Sequence, residues 1–184
     1  MTSATVIAIV AVIAVAAGVL AWIYIERRRR DRIRNRFGPE YQRTVREAGD
    51  PRRAESILER REKRVSGYPI RTLTPDERVH FSDAWRQVQA LFVDDPGGAV
   101  GQGDALVTDL MAARGYPMND FERRAEDLSV DHPVIVQHYR EARAIAERHE
   151  RKAASTEDLR QALVHYRALF DDLLGTAEPQ RRRA

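Results

Sequence analysis

An uninterrupted run of uncharged residues near the start of the chain constrains its fold more than any other feature. Residues Ala4–Ile25 consist mainly of Val, Ile, Ala and Leu and contain no charged side chain. As a helix, this run would rise about 33 Å, which matches the hydrocarbon thickness of a bilayer. The run therefore predicts a transmembrane helix at residues 4–25, preceded by a short tail at residues 1–3.

Two other interpretations of the run are open. A cleaved signal peptide would have basic residues before a shorter apolar stretch, whereas Met1–Ser3 contains no basic side chain. A helix buried in a protein core is seldom apolar on every face over this length in a small domain. We therefore predict a single-pass membrane protein.

A strongly basic segment, residues 26–36, follows the run. Its arginines are Arg27, Arg28, Arg29, Arg30, Arg32, Arg34 and Arg36. Because positive charge resists translocation, we predict a cell-membrane localisation with the N-terminus outside and the soluble domain in the cytoplasm. The arginines are either a topology signal alone or also contacts for anionic lipid headgroups, with the lipid bilayer as a partner. Trp22 and Tyr24 are predicted to anchor the helix at the bilayer interface.

The composition of the remaining chain excludes several classes of site. The whole chain has a net charge of +3, and positive charge is concentrated in residues 26–36 and at Arg181–Arg183. Residues 37–180 are therefore net acidic, which argues against a nucleic-acid partner. The chain has no cysteine, so disulfides, thiolate catalysis and cysteine-ligated metal sites are excluded.

Beyond residue 36, the sequence predicts helices separated by proline, glycine and capping residues. Phe37-Gly38-Pro39 interrupts the basic helix, and no segment shows the alternation typical of a strand. We predict an all-α fold with a charged helical arm at residues 37–69, a helical bundle at 70–175 and a disordered basic tail at 176–184. Helix starts are indicated at Asp50-Pro51, Thr74-Pro75, Asp95-Pro96, Asn119 or Asp120, Asp131 to Pro133, and Ser155 or Thr156.

Apolar residues at helical spacing predict the buried core. Two such stripes lie in the first half of the bundle sequence and two in its second half. Their members are Phe81, Trp85, Val88 and Phe92; Leu106, Leu110 and Met111 with Val107 or Ala113; Ile135, Tyr139, Ala142, Ile145 and Ala146; and Leu159, Ala162, Leu163, Tyr166, Phe170 and Leu173.

Three stretches of the chain carry a family resemblance. They lie in Phe81–Pro96, Arg114–Ile145 and Ser155–Leu174 and include FSDAWRQVQALFVDDP, RGYPMNDFERRAEDLSVDHP and STEDLRQALVHYRALFDDLL. From Phe37 nearly to its end, the chain resembles an uncharacterised family of small bacterial single-pass membrane proteins. That family has no established activity, so the resemblance implies a coherent domain and no catalytic residue.

The five histidines show no metal-binding spacing in the sequence. His138 and His149 lie on one predicted helix but about three turns apart, which is too far to share a metal ion directly. A metal site would have to be assembled across helices, and the sequence does not show which helices are neighbours.

Three further patterns have simpler structural interpretations. A calcium loop starting at Asp94 would need a glutamate where the chain has Ala105. The glycines between residues 97 and 103 lack a phosphate-loop motif. Ser129 and His132 flank Asp131, which is better explained as a helix cap than as part of a catalytic triad. We therefore predict no catalytic residue, no cofactor and no metal.

These observations favour a non-enzymatic interaction or scaffolding module at the cytoplasmic face, which binds a partner protein or a second copy of itself. The alternative is a ligand-binding protein or enzyme with a site assembled between helices of the soluble domain. A concave pocket with convergent carboxylates and histidines would favour this alternative.

Overall fold

The computed structural model describes residues 3–175, with side chains from residue 12 onward. Over this range the chain forms seven helices and no strand, so the predicted all-α class is confirmed. The predicted disordered tail at residues 176–184 lies outside the described residues. The helices are α1 (Ser3–Ala48), α2 (Pro51–Val65), α3 (Pro75–Leu91), α4 (Pro96–Ala113), α5 (Phe121–Asp131), α6 (Ile135–Glu150) and α7 (Thr156–Leu174).

The transmembrane part of the prediction is wrong. Among the residues that the structure describes, no helix is both long enough and apolar enough to cross a membrane. The uncharged run in α1 ends at Ile25. Glu26 and the arginines then add charge to the same helix.

Three linked predictions are corrected by this finding. They are the transmembrane helix at residues 4–25, the single-pass membrane class, and the cell-membrane localisation with an outside N-terminus and a cytoplasmic domain. The side chains of residues 4–11, which belong to the predicted span, lie outside those described.

Helix α1 is kinked where the sequence predicts a break. Gly38 has φ 45° and ψ −120°, a conformation that glycine adopts readily because it has no Cβ. Pro39 follows and has no N–H to donate to the preceding turn. The basic segment therefore ends at the kink, and the helix resumes beyond it as far as Ala48.

The chain divides into two compact units, of which the first ends at residue 59, within α2, and the second begins at residue 60. In the first unit, Arg29 forms an ion pair with Glu59. Arg30 Nε lies 3.6 Å from a carboxylate oxygen of Glu55, and the Tyr41 hydroxyl donates to Glu55 at 3.3 Å. These contacts connect α1 to the start of α2.

Four helices of the second unit begin at caps that the sequence predicts. Thr74 and Ser155 each form a capping box, at the starts of α3 and α7. The Asp95 and Asp120 side chains accept backbone hydrogen bonds at the starts of α4 and α5. Each cap satisfies an N–H group that has no partner inside its own helix.

Helix α6 begins differently from the prediction. Asp131, the predicted cap, is the last residue of α5, and its carboxylate accepts a hydrogen bond from the Tyr116 hydroxyl at 3.4 Å. The N-cap position of α6 is instead Val134, which makes no side-chain cap hydrogen bond. The Val136 N–H donates to the His132 carbonyl at 3.0 Å, so a single turn connects the two helices.

Helix α4 ends near Gly115, as predicted. Gly115 has φ 93°, a region that residues with a Cβ rarely adopt. A Cβ added there would also collide with the backbone carbonyl oxygen of Pro69. The glycine thus allows the loop after α2 to pass close to the end of α4.

The core of the second unit is built from the predicted stripes. Trp85 of α3 stacks on Phe170 of α7, with ring centroids 4.8 Å apart. Tyr139 of α6 meets Tyr166 of α7 edge to face at 6.5 Å, and the Tyr166 hydroxyl donates to Asp104 of α4 at 2.8 Å. Each fully buried apolar side chain stabilises the fold by about 1.5–3 kcal/mol relative to exposure. The large buried side chains of this core include Phe81, Trp85, Leu110, Met111, Tyr116, Leu128, Tyr139, Tyr166, Leu169, Phe170 and Leu173.

A buried ionic network connects the end of α2 to α5 within the second unit. Asp127 is 1% exposed; it accepts from Arg64 Nε at 2.7 Å and from the Tyr68 hydroxyl at 3.0 Å. Glu126 accepts from Arg61 and from Arg64, both at 3.1 Å. Burial and the hydrogen bond to Asp127 raise the pKa of Tyr68. The two carboxylates thus hold three side chains of one segment against α5.

Candidate functional site

The residues predicted to contact a membrane surface are spread along α1. Trp22 and Tyr24 are exposed, and the Arg28 guanidinium lies 4.9 Å from the centre of the Tyr24 ring. Hydrogen bonding from Arg29 lowers the pKa of Glu59. Part of the positive charge is therefore neutralised within the first unit. Contact of this segment with anionic headgroups stays a prediction.

A groove in the second unit lies between α3 and α7. Its volume is about 290 Å³. Four apolar side chains form its floor, and three polar side chains lie at its rim. The floor consists of Trp85, Phe92, Leu163 and Val164, and the rim consists of Gln89, Arg160 and Arg167.

The floor is held rigidly because Trp85 belongs to the core. Its side chain is 2% exposed and stacks on Phe170 at an interplanar angle of 24°. Val164, by contrast, is 49% exposed, so the floor opens to solvent over α7. The Trp85 indole N–H is buried and has no acceptor among the described residues. An unpaired buried donor of this kind costs about 1–3 kcal/mol.

The two rim arginines are fixed by neighbours on their own helix. Arg160 donates two hydrogen bonds to Glu157, at 2.8 and 2.7 Å. These bonds, with one from Gln161, lower the pKa of Glu157 to about 2. Arg167 donates to Asp171 at 2.9 Å, and its guanidinium lies 5.9 Å from the Trp85 ring. Both arginines are therefore presented at the surface in defined orientations.

The lining of the groove is suited to binding. Its seven residues include no carboxylate, imidazole, hydroxyl or thiol that could act as a nucleophile or a general base. Apolar area, arginine donors and the Gln89 amide are the chemical groups that it offers. These groups recognise an apolar anchor beside a negative charge.

Other patterns noted in the sequence have structural roles. Asp95 caps α4 by accepting from the Gly98 N–H at 2.8 Å, which confirms the cap interpretation of this segment. The buried Ser129 hydroxyl donates to the Glu126 carbonyl at 2.6 Å, and His132 Nδ1 contacts a carboxylate oxygen of Asp172. Ser129 and His132 are thus engaged with different partners.

One pair of side chains was not found by sequence reasoning. His138 of α6 and His165 of α7 face each other with their Nδ1 atoms 2.9 Å apart. Each histidine directly precedes a buried tyrosine, Tyr139 or Tyr166. In both helices a histidine directly precedes a tyrosine of a predicted core stripe. Because the two helices pack against each other, this repeated His-Tyr pattern was the signal that could have placed the histidines together.

Comparisons of the chain with protein-family models, with curated proteins and with solved structures find no match. The resemblance to a family of small membrane proteins therefore stays a prediction. The function has to be argued from the groove itself.

Proposed function

We propose that the protein is a non-enzymatic interaction module whose groove between α3 and α7 binds an acidic amphipathic helix of a partner protein. The observation that supports this most is the combination of an apolar floor with two arginines at the rim. Such a surface binds an apolar side chain and an adjacent carboxylate at the same time.

The size of the groove favours an anchor side chain over a free small molecule. Small-molecule pockets commonly measure about 300–1,000 Å³ and enclose most of the ligand. The volume of about 290 Å³ lies below this range, and the groove is open along the exposed Val164. It accommodates one or two large apolar side chains of a helix lying along the surface, which is a common mode of peptide recognition.

The charge at the rim favours an acidic partner. Arg160 and Arg167 already pair with acids of their own helix, but these pairs are solvent-exposed. Exposed pairs contribute only about 0–1 kcal/mol, so carboxylates of a partner can replace them at little cost. Arginine can bind such a carboxylate through two parallel hydrogen bonds.

The core tryptophan supports the same proposal. Interface residues that dominate binding energy are enriched in tryptophan and arginine, and they cluster around desolvated pockets. Trp85 and Arg167 form such a pair beside the groove.

The test uses Trp85 as the reporter of binding. The chain has two tryptophans, so Trp22→Phe leaves Trp85 as the only one. The probe is a synthetic helical peptide with leucine anchors and flanking glutamates; its control has the same anchors and flanking lysines. We expect the acidic peptide to change Trp85 fluorescence saturably and the basic peptide to bind more weakly.

Substitutions then assign the binding to the groove. Reversing the charge of the rim with Arg160→Glu and Arg167→Glu should weaken binding of the acidic peptide by at least about tenfold, because like charges would face each other. Val164→Asp should weaken the binding of both peptides, because it places a charge in the apolar floor. Arg86→Glu is the matched control, since Arg86 is 76% exposed, pairs with Asp83 and does not line the groove. Equal binding of the two peptides, or no effect of the rim reversal, would refute the proposal.

A further inference from the structure

A cluster of three potential metal ligands lies where α6 packs on α7, apart from the groove. His138 and Glu141 come from α6, and His165 comes from α7. The two Nδ1 atoms are 2.9 Å apart, and His165 Nε2 lies 3.3 Å from a carboxylate oxygen of Glu141. One ligand atom from each of the three residues lies within 4.8 Å of the others.

The backbone positions of the cluster are fixed by the core. His138 and Glu141 are three residues apart in a helix and therefore share one face. The adjacent Tyr139 and Tyr166 are fully buried and contact each other, which holds the two helices in register at this point. The backbone at the site is therefore in place before any ligand binds, and only side chains have to move.

The side chains combine partial burial with access from solvent. The side chain of His165 is 21% exposed, and that of Glu141 is 57% exposed. Burial lowers the pKa of His165; Glu141 opposes this shift and His138 adds to it. Two imidazole nitrogens at hydrogen-bond distance cannot both carry a proton in the same contact, so at least one presents a lone pair.

We propose that His138, Glu141 and His165 bind one divalent transition-metal ion of the zinc type. Each imidazole supplies one nitrogen and Glu141 supplies a carboxylate oxygen. Two neutral imidazoles with one carboxylate suit zinc and similar ions better than magnesium or calcium, which prefer oxygen ligands. Three protein ligands leave a coordination position for solvent.

The spacing of the ligands is close to that of a bound site. Nitrogens bound tetrahedrally to zinc at about 2.0–2.1 Å are about 3.3 Å apart. The two imidazoles therefore need to separate by only about 0.4 Å from their present contact. Glu141 contacts Nε2 of His165 and not the Nδ1 atom that faces His138, so its exposed side chain has to rotate toward the two Nδ1 atoms to bind the same ion. A proton on the nitrogen that binds the metal transfers to the other ring nitrogen, so both imidazoles stay neutral.

The test is a titration of the full chain with Co²⁺, whose visible absorption reports tetrahedral coordination, followed by competition with Zn²⁺. We expect saturable binding of one ion per chain. His138→Gln and His165→Gln should each weaken it by more than about tenfold, since even loss of an outer-shell partner costs 10–100-fold. Glu141→Gln changes only an exposed side chain, so it tests the site even if a histidine variant unfolds.

His80→Gln serves as the matched control, because His80 is an exposed histidine on α3. It should bind Co²⁺ like the unmodified chain, and thermal melting of each variant verifies that it is folded. The proposal is overturned if the unmodified chain does not bind Co²⁺, or if His138→Gln, His165→Gln and Glu141→Gln all bind it unchanged. The rim variants of the groove should leave Co²⁺ binding intact, so this site is tested independently of the groove.

Discussion

Replacing Asp127 with alanine should destabilise the protein more than any other single change in the ionic network between α2 and α5. The alanine removes the acceptor of two hydrogen bonds, from Arg64 and from Tyr68. Removing one partner of a fully buried ion pair costs about 3–5 kcal/mol. Arg64 is 22% exposed and keeps Glu126 as a second partner. We therefore expect a loss of about 2–4 kcal/mol.

Two further variants separate the contributions of charge and burial. Asp127→Asn retains an acceptor oxygen but loses the charge, so it should cost about 1–2 kcal/mol. Glu126→Ala removes a carboxylate whose side chain is 30% exposed, but its partner Arg61 is 7% exposed, so it should cost about 1–2 kcal/mol. Asp127→Ala should therefore cost the most, because Asp127 is the more deeply buried of the two acids that contact Arg64.

Urea denaturation followed by far-UV circular dichroism measures these losses as free energies of unfolding. The comparison requires equal slopes of the free energy against urea, because a change in slope indicates altered exposure on unfolding. Combining Arg64→Met with Asp127→Ala completes a double-mutant cycle, which should give a coupling of about 1–3 kcal/mol. If Asp127→Ala and Glu126→Ala differ by less than about 0.5 kcal/mol, burial does not control this network and the reasoning fails.

Three other predictions concern local conformation and charge. Gly115→Ala should lower the free energy of unfolding, measured in urea, by about 2–4 kcal/mol, because the alanine would have a positive φ and its Cβ would collide with backbone. Gly101→Ala should raise it by about 0.5–1 kcal/mol, because a Cβ there meets nothing within 4 Å. A lower free energy of unfolding for Gly101→Ala would contradict this reasoning. Ser155→Ala removes the capping box of α7 and should cost about 0.5–2 kcal/mol in the same assay, and an unchanged stability would count against the cap. The carboxyl of Glu77 should titrate in NMR at about 2, chiefly because of its hydrogen bonds from Arg71. Its stabilising effect is therefore fully present above its unfolded pKa and is lost as the pH falls through about 2. A titration near the ordinary glutamate pKa would contradict this.

The helix starts could be predicted because their signals are local. Thr74 and Ser155 cap backbone groups only two or three residues away, so a short stretch of sequence contains all the necessary chemistry. The start of α6 could not be predicted in this way. Asp131 has the sequence context of a cap, but α5 extends to include it and Tyr116 contacts its carboxylate. That contact comes from a residue outside the local pattern.

The groove and the histidine cluster depend on which helices are neighbours. The two stripes that contain Trp85 and Leu163 were predicted as core, and Trp85 is indeed buried. A stripe does not show where the facing helix stops covering it, so the groove between α3 and α7 was not predicted. His138 and His165 are on different helices, and their meeting required the packing of α6 on α7. The apolar run at residues 4–25 shows the opposite case, in which a local pattern led to a wrong prediction.

The uncapped start of α6 has a consequence for hydrogen exchange. Backbone N–H groups in the first turn of a helix lack partners within the helix. At the start of α6 no side chain caps them, although the Val136 N–H donates to the His132 carbonyl. Local opening of this turn should therefore require less free energy than opening of the first turn of α7. His138 is the fourth residue of α6, so each opening event also separates it from His165. The amide exchange rates of residues 135–138 would then report how often the imidazole pair comes apart, and an ion bound between the two rings would slow them.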